Sequence, residues 1–399
     1  MNNVGQSAIQ SFTVNGIDGS DLVQELVLTE SIYTQCVSAI VTLYDGAGFQ
    51  ERAKLKEGYA KVSLKLLDST QSPLELNLRV AQVFDRSRPR ADAEMIKIRC
   101  HPYEMLKNPE KKIEKPYDDQ KISEIEKKIF DEYIKGSDTK NKNIDIKETE
   151  GKARYYSTNK TPLQVMAWAN KSGKSANKPG QRLFYQTFQD GYKIVSIDEL
   201  IEDAPLKHNL ERKTVNAGQD TNILDHVKVY NVNQDGDKST TDMNGAAGTK
   251  TVYIDPRTGR RKVVERRGEN GEITEVKYVY KYFSDSESKF QNERARKDVN
   301  KNNKAGIENE AARSKGHKLD NRVITVTVPF QTKFKIGEKA NFKISKTGGE
   351  RQLDDRSGNY LITSQKIRIY VDKSSGAPDT KGESILELKS VADADKEAK

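Results

Sequence analysis

The 399-residue chain offers few side chains of the kinds that do chemistry. Its four histidines, His101, His208, His226 and His317, are scattered, with no HExxH pair and no local metal-ligand spacing. Two cysteines, Cys36 and Cys100, are too few for a disulfide framework or a cysteine-based zinc site. Neither has a cation pattern beside it that would favour a thiolate. Cys100 shares a strand face with Ile96 and Ile98 and is expected in a core. Cys36 is out of phase with Val37 and is expected on an exterior or at an interface. Ser172-Gly173-Lys174-Ser175 looks like the end of a phosphate-binding loop, but Trp168 stands where its first glycine belongs. The segment also follows a helix instead of preceding one, so helix termination explains it. Asn231, Asn233, Asp235, Gly236 and Asp242 partly match a calcium loop, yet the last ligand is Asp and Lys238 replaces an apolar residue, which favours a polar surface loop. GxSxG and GxGxxG are absent. Acids are plentiful, but most lie between Lys and Arg on polar faces, not in an apolar cleft that would shift their pKa for acid–base work. The residues predict no enzyme, no cofactor and no metal.

Composition narrows the field further. Lys and Arg total 68 against 59 Asp and Glu, a formal charge of +9, and the hydrophobic fraction is 34%. At about 100–200 residues per domain the length suits two to four domains with small cores. No stretch reaches the ~18 apolar residues of a membrane span. The opening MNNVGQSAIQSF has neither a basic nor an apolar signal region. The densest basic cluster, Arg257, Arg260, Arg261, Lys262, Arg266 and Arg267, reads as a solvated hairpin; its functional reading is an acidic partner or nucleic acid.

The elements are mostly strands. Val37, Ala39, Val41 and Leu43 share one face. Ala60, Val62, Leu64 and Leu66 alternate with Lys61, Ser63 and Lys65, and Leu74, Leu76, Leu78 and Val80 with Glu75, Asn77 and Arg79. Such one-sided strands, broken by Asp45-Gly46, Glu57-Gly58 and Ser72-Pro73, suit an antiparallel barrel or sandwich. Residues 108–116 read as a connector. Ile122, Ile125, Ile129, Phe130, Tyr133 and Ile134 recur at helical spacing, with Asp118 and Asp119 placed as N-terminal acids. Residues 136–152 read as loop. Thr161-Pro162-Leu163-Gln164 opens a second helix with a capping box. Arg182–Phe188 and Tyr192–Ile197 form a hairpin across Asp190-Gly191, a type I′ turn dipeptide. Another hairpin is expected at 251–254 and 262–265, and a strand at 275–282. Residues 284–318 are too charged to assign. Alternation returns in Ile324/Val326/Val328, Ala340/Phe342/Ile344 and Ile367/Ile369/Val371.

LKEGYAKVSLKLLD near residue 56 and FKIGEKANFKIS near residue 335 echo each other: a glycine turn, then a strand of alternating apolar and Lys or Asn residues. The fold class expected is therefore mainly β with an α+β insert. Two tube-like antiparallel β-barrels, 1–107 and 211–399, would be joined by a helix and hairpin domain at 108–210, with a charged insertion around 233–320.

Residues 22–51, with Ser31-Ile32-Tyr33 and Tyr44-Asp45, followed by the strand led by Gly58, resemble the opening barrel of the central baseplate hub proteins of T-even-type contractile-tail phages. FYQTFQDGYKIVSIDELI, residues 184–201, is similar to a signature of that family and of the related late-control D proteins. Residues 328–391 resemble the family's second barrel. The resemblance implies a structural protein without catalysis. Three copies would form a pseudo-sixfold ring between a hexameric tail tube, or tube initiator, and a trimeric spike. It also implies surrounding baseplate wedge proteins, viral DNA as transiting cargo, no membrane insertion, and a place in the virion tail after assembly in the host cytoplasm. The residues expected in ring walls are Val37, Ala39, Val41, Leu43, Lys61, Ser63 and Lys65 from the first barrel. From the second they are Asn341, Lys343, Lys366, Arg368 and Tyr370. The competing expectations are a tail-associated cell-wall hydrolase and a DNA-binding or packaging protein using the 257–267 hairpin.

Overall fold

The computed structural model describes residues 8–68, 70, 72–135, 143–178, 180–212, 223–235, 249–254, 259, 261–266, 275–280, 319, 322–345, 353–372 and 379–391. The protein is mainly antiparallel β with a small helical insert. Its first strands are β1 (Ala8–Val14), β2 (Ile17–Asp18), β3 (Val23–Ser31), β4 (Ser38–Asp45), β5 (Lys61–Leu67), β6 (Pro73–Arg90) and β7 (Ala93–His101). Short helices α1 (Phe49–Arg52) and α2 (Tyr103–Lys107) accompany them. The insert holds β8 (Ile113–Gln120), α3 (Ile122–Ile129), β9 (Ile144–Ile146), β10 (Ala153–Lys160), α4 (Pro162–Ser172), β11 (Arg182–Thr187), β12 (Gly191–Ser196) and α5 (Ile197–Asp203). Then come β13 (Leu206–Arg212), β14 (Val229–Asp235), β15 (Thr249–Ile254), β16 (Arg261–Arg266) and β17 (Glu275–Tyr280). The chain closes with β18 (Arg322–Pro329), β19 (Lys339–Ile344), β20 (Gly358–Asp372) and β21 (Asp379–Ser390).

Among the described residues, alternation of side chains across each strand builds three cores. Leu26 and Leu28, Val41 and Leu43, Val62 and Leu64, and Ile96, Ile98 and Cys100 point into the first. Ile324 and Val326, Phe342, Leu361 and Leu386 fill the second. Ile125, Ile129, Phe130, Val165, Met166 and Tyr192 fill the third, inside the insert. The first two are not walled by separate sheets. One ladder runs β14–β18–β21–β20–β3–β4–β7–β6–β5–β1–β2. The long strand β20 joins them: Tyr360, Leu361 and Ile362 enter the second core, and Ile367 and Ile369 the first. Beyond Ile362 it pairs antiparallel with β3, Ser364 opposite Ser31 through Tyr370 opposite Glu25. The second set of strands rounds on itself: β19 pairs with β20 and with β13, and a Glu211–His226 bridge returns β13 to the approach to β14.

The echo between residues 56 and 335 has a structural basis. Gly58 (φ 60°) and Gly337 (φ 83°) are both left-handed just before β5 and β19, a conformation glycine adopts at no steric cost. A Cβ on Gly337 would also lie 2.7 Å from the Tyr185 hydroxyl. After each glycine the apolar residues turn inward and the Lys, Ser or Asn residues outward.

Several expectations change. Part of the expected connector 108–116 belongs to strand β8, which pairs with β10 (Ala153–Lys160), and strand β9 (Ile144–Ile146) lies within the expected loop 136–152. Asp118 and Asp119 lie on β8 and meet Arg154 and Lys152 across the sheet instead of facing a helix start. The α3 helix continues as a wider π turn over Phe130–Ile134. Thr187 pairs with Gly191, so the β11–β12 loop has three residues, and only Gly191 (φ 83°) is left-handed. That is the geometry of a bulged hairpin rather than a type I′ turn. Asn231, Asn233 and Asp235 lie along strand β14, which is not a calcium-loop conformation, and Asn233 donates to the Thr325 hydroxyl at 2.7 Å. Gly236, Lys238, Asp242, Arg257, Arg260, Arg267, residues 284–318 and His317 lie outside the described residues. The 251–265 hairpin forms as β15 and β16, with β17 parallel to β15 on its other side.

Candidate functional site

Ser31-Ile32-Tyr33 ends β3 at a boundary between cores: Ile32 is buried in the second, and Tyr33 is exposed beneath the Lys389 ammonium, 4.7 Å from the ring centre. Asp45 of Tyr44-Asp45 closes the following turn. Its carboxylate accepts N–H bonds from Ala47 and Phe49 on one oxygen and from Gln50 on the other, at 2.9–3.0 Å. Burial pushes its pKa up, but the backbone donors outweigh that and hold it below the usual range. Thr161 and Gln164 form the expected reciprocal cap of α4, and Ser196 with Glu199 caps α5 in the same way. Gly173 ends α4, and the Ser175 hydroxyl donates to Glu199, so neither is arranged around a phosphate.

Between the cores lies a junction that local patterning did not reveal. Glu30 continues the inward phase of Leu26 and Leu28 and is buried. It accepts the Phe188 N–H at 2.6 Å and, with the Gln365 amide oriented to satisfy its neighbours, a Gln365 N–H at 3.1 Å. Ile336 N–H also bonds to it. Burial nonetheless pushes its pKa up to about 8. Asp68 at the end of β5 accepts both the N–H and the hydroxyl of Thr332, each at 2.9 Å. The segment 330–338 threads the first two cores and reaches the insert's hairpin. Phe330 enters the first, and Phe334 and Ile336 the second. Lys335 bridges to Asp190 of the insert's hairpin at 2.7 Å, and Glu338 meets the buried His208 ring at 2.9 Å. Inside the insert, Glu126 and Arg182 form a fully buried ion pair of 2.6 Å. The Glu30, Asp68, Lys335 and Glu338 contacts tie the segments around the cores to one another.

The expected wall residues divide. Val37, Ala39, Val41 and Leu43 are at most 2% exposed. They are filled by the chain's own packing, which leaves Ser38, Ile40 and Tyr44 on the outward side of β4. Lys61, Ser63, Lys65, Asn341, Lys343, Lys366, Arg368 and Tyr370 all point away from the cores. The β20–β3 pairing brings Lys366, Arg368 and Tyr370 onto the same sheet face as Lys61, Ser63 and Lys65, whereas Asn341 and Lys343 lie on β19, outside that run of strands. Cys36 packs against the third core, its Sγ 3.8 Å from the Tyr192 hydroxyl, so it lies at an interface within the chain. Cys100 is buried as expected, and desolvation pushes its thiol up to about 12. Among the described residues no group of three or more His, Cys, Asp or Glu could hold a metal, and no helix is long and apolar enough to cross a membrane.

No protein-family model and no curated protein sequence matches the chain. Solved structures do. The tail protein from Neisseria meningitidis MC58 superimposes with a TM-score of 0.57 at 10% identity, over 96% of this chain and 97% of that one. The 43 kDa tail protein of prophage MuSo2 from Shewanella oneidensis gives 0.53 at 10% identity, over 95% and 96%. A chain of the lidded Francisella PdpA–VgrG complex gives 0.52 at 10% identity, over 97% of this chain and 53% of that one. At this identity the likeness establishes a shared fold, running over at least 95% of two tail proteins.

Proposed function

We propose that the protein is the structural hub of a contractile tail or a related injection machine and performs no catalysis. The observation that carries this is the match to two tail proteins over at least 95% of both chains. In this reading residues 1–107 and 211–399 are two tube-like modules fused through β20, and 108–210 is the domain between them. Three copies form a closed ring in which six similar modules meet a hexameric tube or tube initiator on one side and a trimeric spike on the other. Baseplate wedge proteins surround the ring, and DNA passes through without its bases being read. The site of action is the virion tail.

The junction at Glu30, Asp68 and segment 330–338 supports the reading, because an adapter between two symmetries must hold its modules in fixed relation. A hydrolase would need two carboxylates converging on a cleft. The two acids that burial pushes furthest up, Glu30 and Glu126, are separately engaged by backbone donors and by Arg182. Light scattering on the full chain, alone and mixed with the co-encoded spike and tube proteins, tests the proposal. Complexes holding three copies of the 45.0 kDa chain are expected; a chain that stays monomeric in every mixture contradicts it.

A further inference from the structure

The outward face of the joined sheet carries a chemistry that the ring geometry does not require. Directly opposed residues share a face, so register alone assembles it. Arg368 lies opposite Val27, Val27 opposite Ile40, Ile40 opposite Arg99, and Arg99 opposite Gln82. One step along, Tyr370, Glu25, Thr42, Lys97 and Phe84 form the next row. On the other side Lys366 lies opposite Thr29, and the row His101, Arg79, Lys61 crosses β7, β6 and β5. Val27, Ile40, Phe84 and Tyr370 are half-buried between these cations. On this face Arg368 engages Glu25 at 2.7 Å and Glu383 at 3.6 Å, Lys97 engages Asp85, and Lys65 engages Glu75 at 3.0 Å. Lys61, Lys366 and Arg99 have no carboxylate partner among the described residues. Basic residues set side by side in register cost stability, so the sheet holds positive charge that its own acids do not balance.

We propose that this face is the docking surface for an acidic polypeptide of another tail component. Charge complementarity selects the occupant. A second copy of this chain carries the same +9, and a symmetric self-contact would set the same cations against each other. An apolar and aromatic centre rimmed by cations is the composition of a protein interface, where Tyr, Phe and Arg are enriched. The proposal rests on the hub reading in taking the occupant from the tail; the face and its charge are tested separately from the assembly's mass.

The test uses the folded full chain and a labelled random copolymer of Glu and Tyr, followed by anisotropy at low ionic strength. Saturable binding is expected, tighter than to polyglutamate of the same length. Arg99→Glu with Lys366→Glu should weaken it about tenfold or more, and Arg99→Gln with Lys366→Gln by a smaller factor in the same direction. The charge-matched control Lys112→Glu with Lys127→Glu, both exposed in the insert, should change it less than about twofold. Absence of binding, equal loss in the control, or no preference over polyglutamate would overturn the proposal. So would displacement of the copolymer by short duplex DNA through the same residues, which would mark a nucleic-acid face.

Discussion

The Asp68 carboxylate receives both the backbone N–H and the hydroxyl of Thr332, each at 2.9 Å, across 264 residues of chain. The other Asp68 oxygen holds Thr70 and Ser72 in the β5–β6 turn. One side chain thus fastens a turn of the first core to the segment that threads the second.

Asp68→Ala is expected to cost about 1–3 kcal/mol, because it leaves the buried Thr332 N–H without its acceptor. Burial raises the Asp68 pKa, but Thr332, Thr70 and Ser72 outweigh that and hold it below its ordinary value of 3.8. A depressed folded pKa supplies stability above the unfolded value and loses it as pH falls through the folded one. Chemical denaturation of wild type and Asp68→Ala should therefore differ most near neutrality and converge in acid below about pH 4. A gap that persists undiminished in acid would show that Asp68 does not act through its charge.

Glu30 has the opposite sign. Its folded pKa is raised from 4.5 to about 8 by burial, so the folded protein keeps a proton that the unfolded chain releases. The stability tied to Glu30 is complete below about pH 4.5 and is lost as pH rises through about 8. Glu30→Gln should keep the N–H acceptor and remove this dependence. Melting temperatures of the two proteins, compared between pH 5 and 9, should diverge in favour of the variant on the alkaline side; parallel curves would refute the assignment.

The Glu126–Arg182 pair has no exposed side-chain surface. Burial pushes the Glu126 pKa up to about 7 even though Arg182 opposes it. Arg182→Met alone should destabilise by about 3–5 kcal/mol, because it strands a buried carboxyl. Combined with Glu126→Leu it should recover most of that loss, since an apolar pair of similar volume avoids desolving two charges. Urea midpoints for the single and double variants decide the matter.

Cys100 is buried, and its thiol is pushed up to about 12 by desolvation, so the thiolate is scarce at neutral pH. Thiol-specific labelling of the folded protein should modify Cys36 first and reach Cys100 only on unfolding. Equal labelling rates in the native state would mean the first core is not closed around Cys100.

Much of this structure is written in short-range pattern. Alternation at 59–67, 74–80 and 95–100 gave the core face of each strand correctly, and Thr161 with Gln164 marked the start of α4. The strands β8 and β10 escaped because Ile113–Gln120 and Ala153–Lys160 bury only every fourth residue, with bulges in their pairing. Charged neighbours at Asp118 and Asp119 then looked like helix-capping acids, although their cations lie on the opposite strand. Nothing local could announce that Ser364 pairs with Ser31, a partnership decided by packing between distant segments. One clue to the junction was present: Glu30 stands where the phase of Leu26 and Leu28 calls for an apolar side chain. Alternation shows which residues share a strand face but not which face meets a neighbour, so Val37, Ala39, Val41 and Leu43, which fill the first core, stand among the expected wall residues beside outward lysines.

The central claim is that a threefold assembly of this chain presents six similar lobes. Electron-microscopy class averages of the chain bound to its tail components, viewed down the axis, test it most directly. Three copies arranged as six lobes around an open bore are the expected result. Six copies in the ring, or three lobes without pseudo-sixfold repetition, would contradict it.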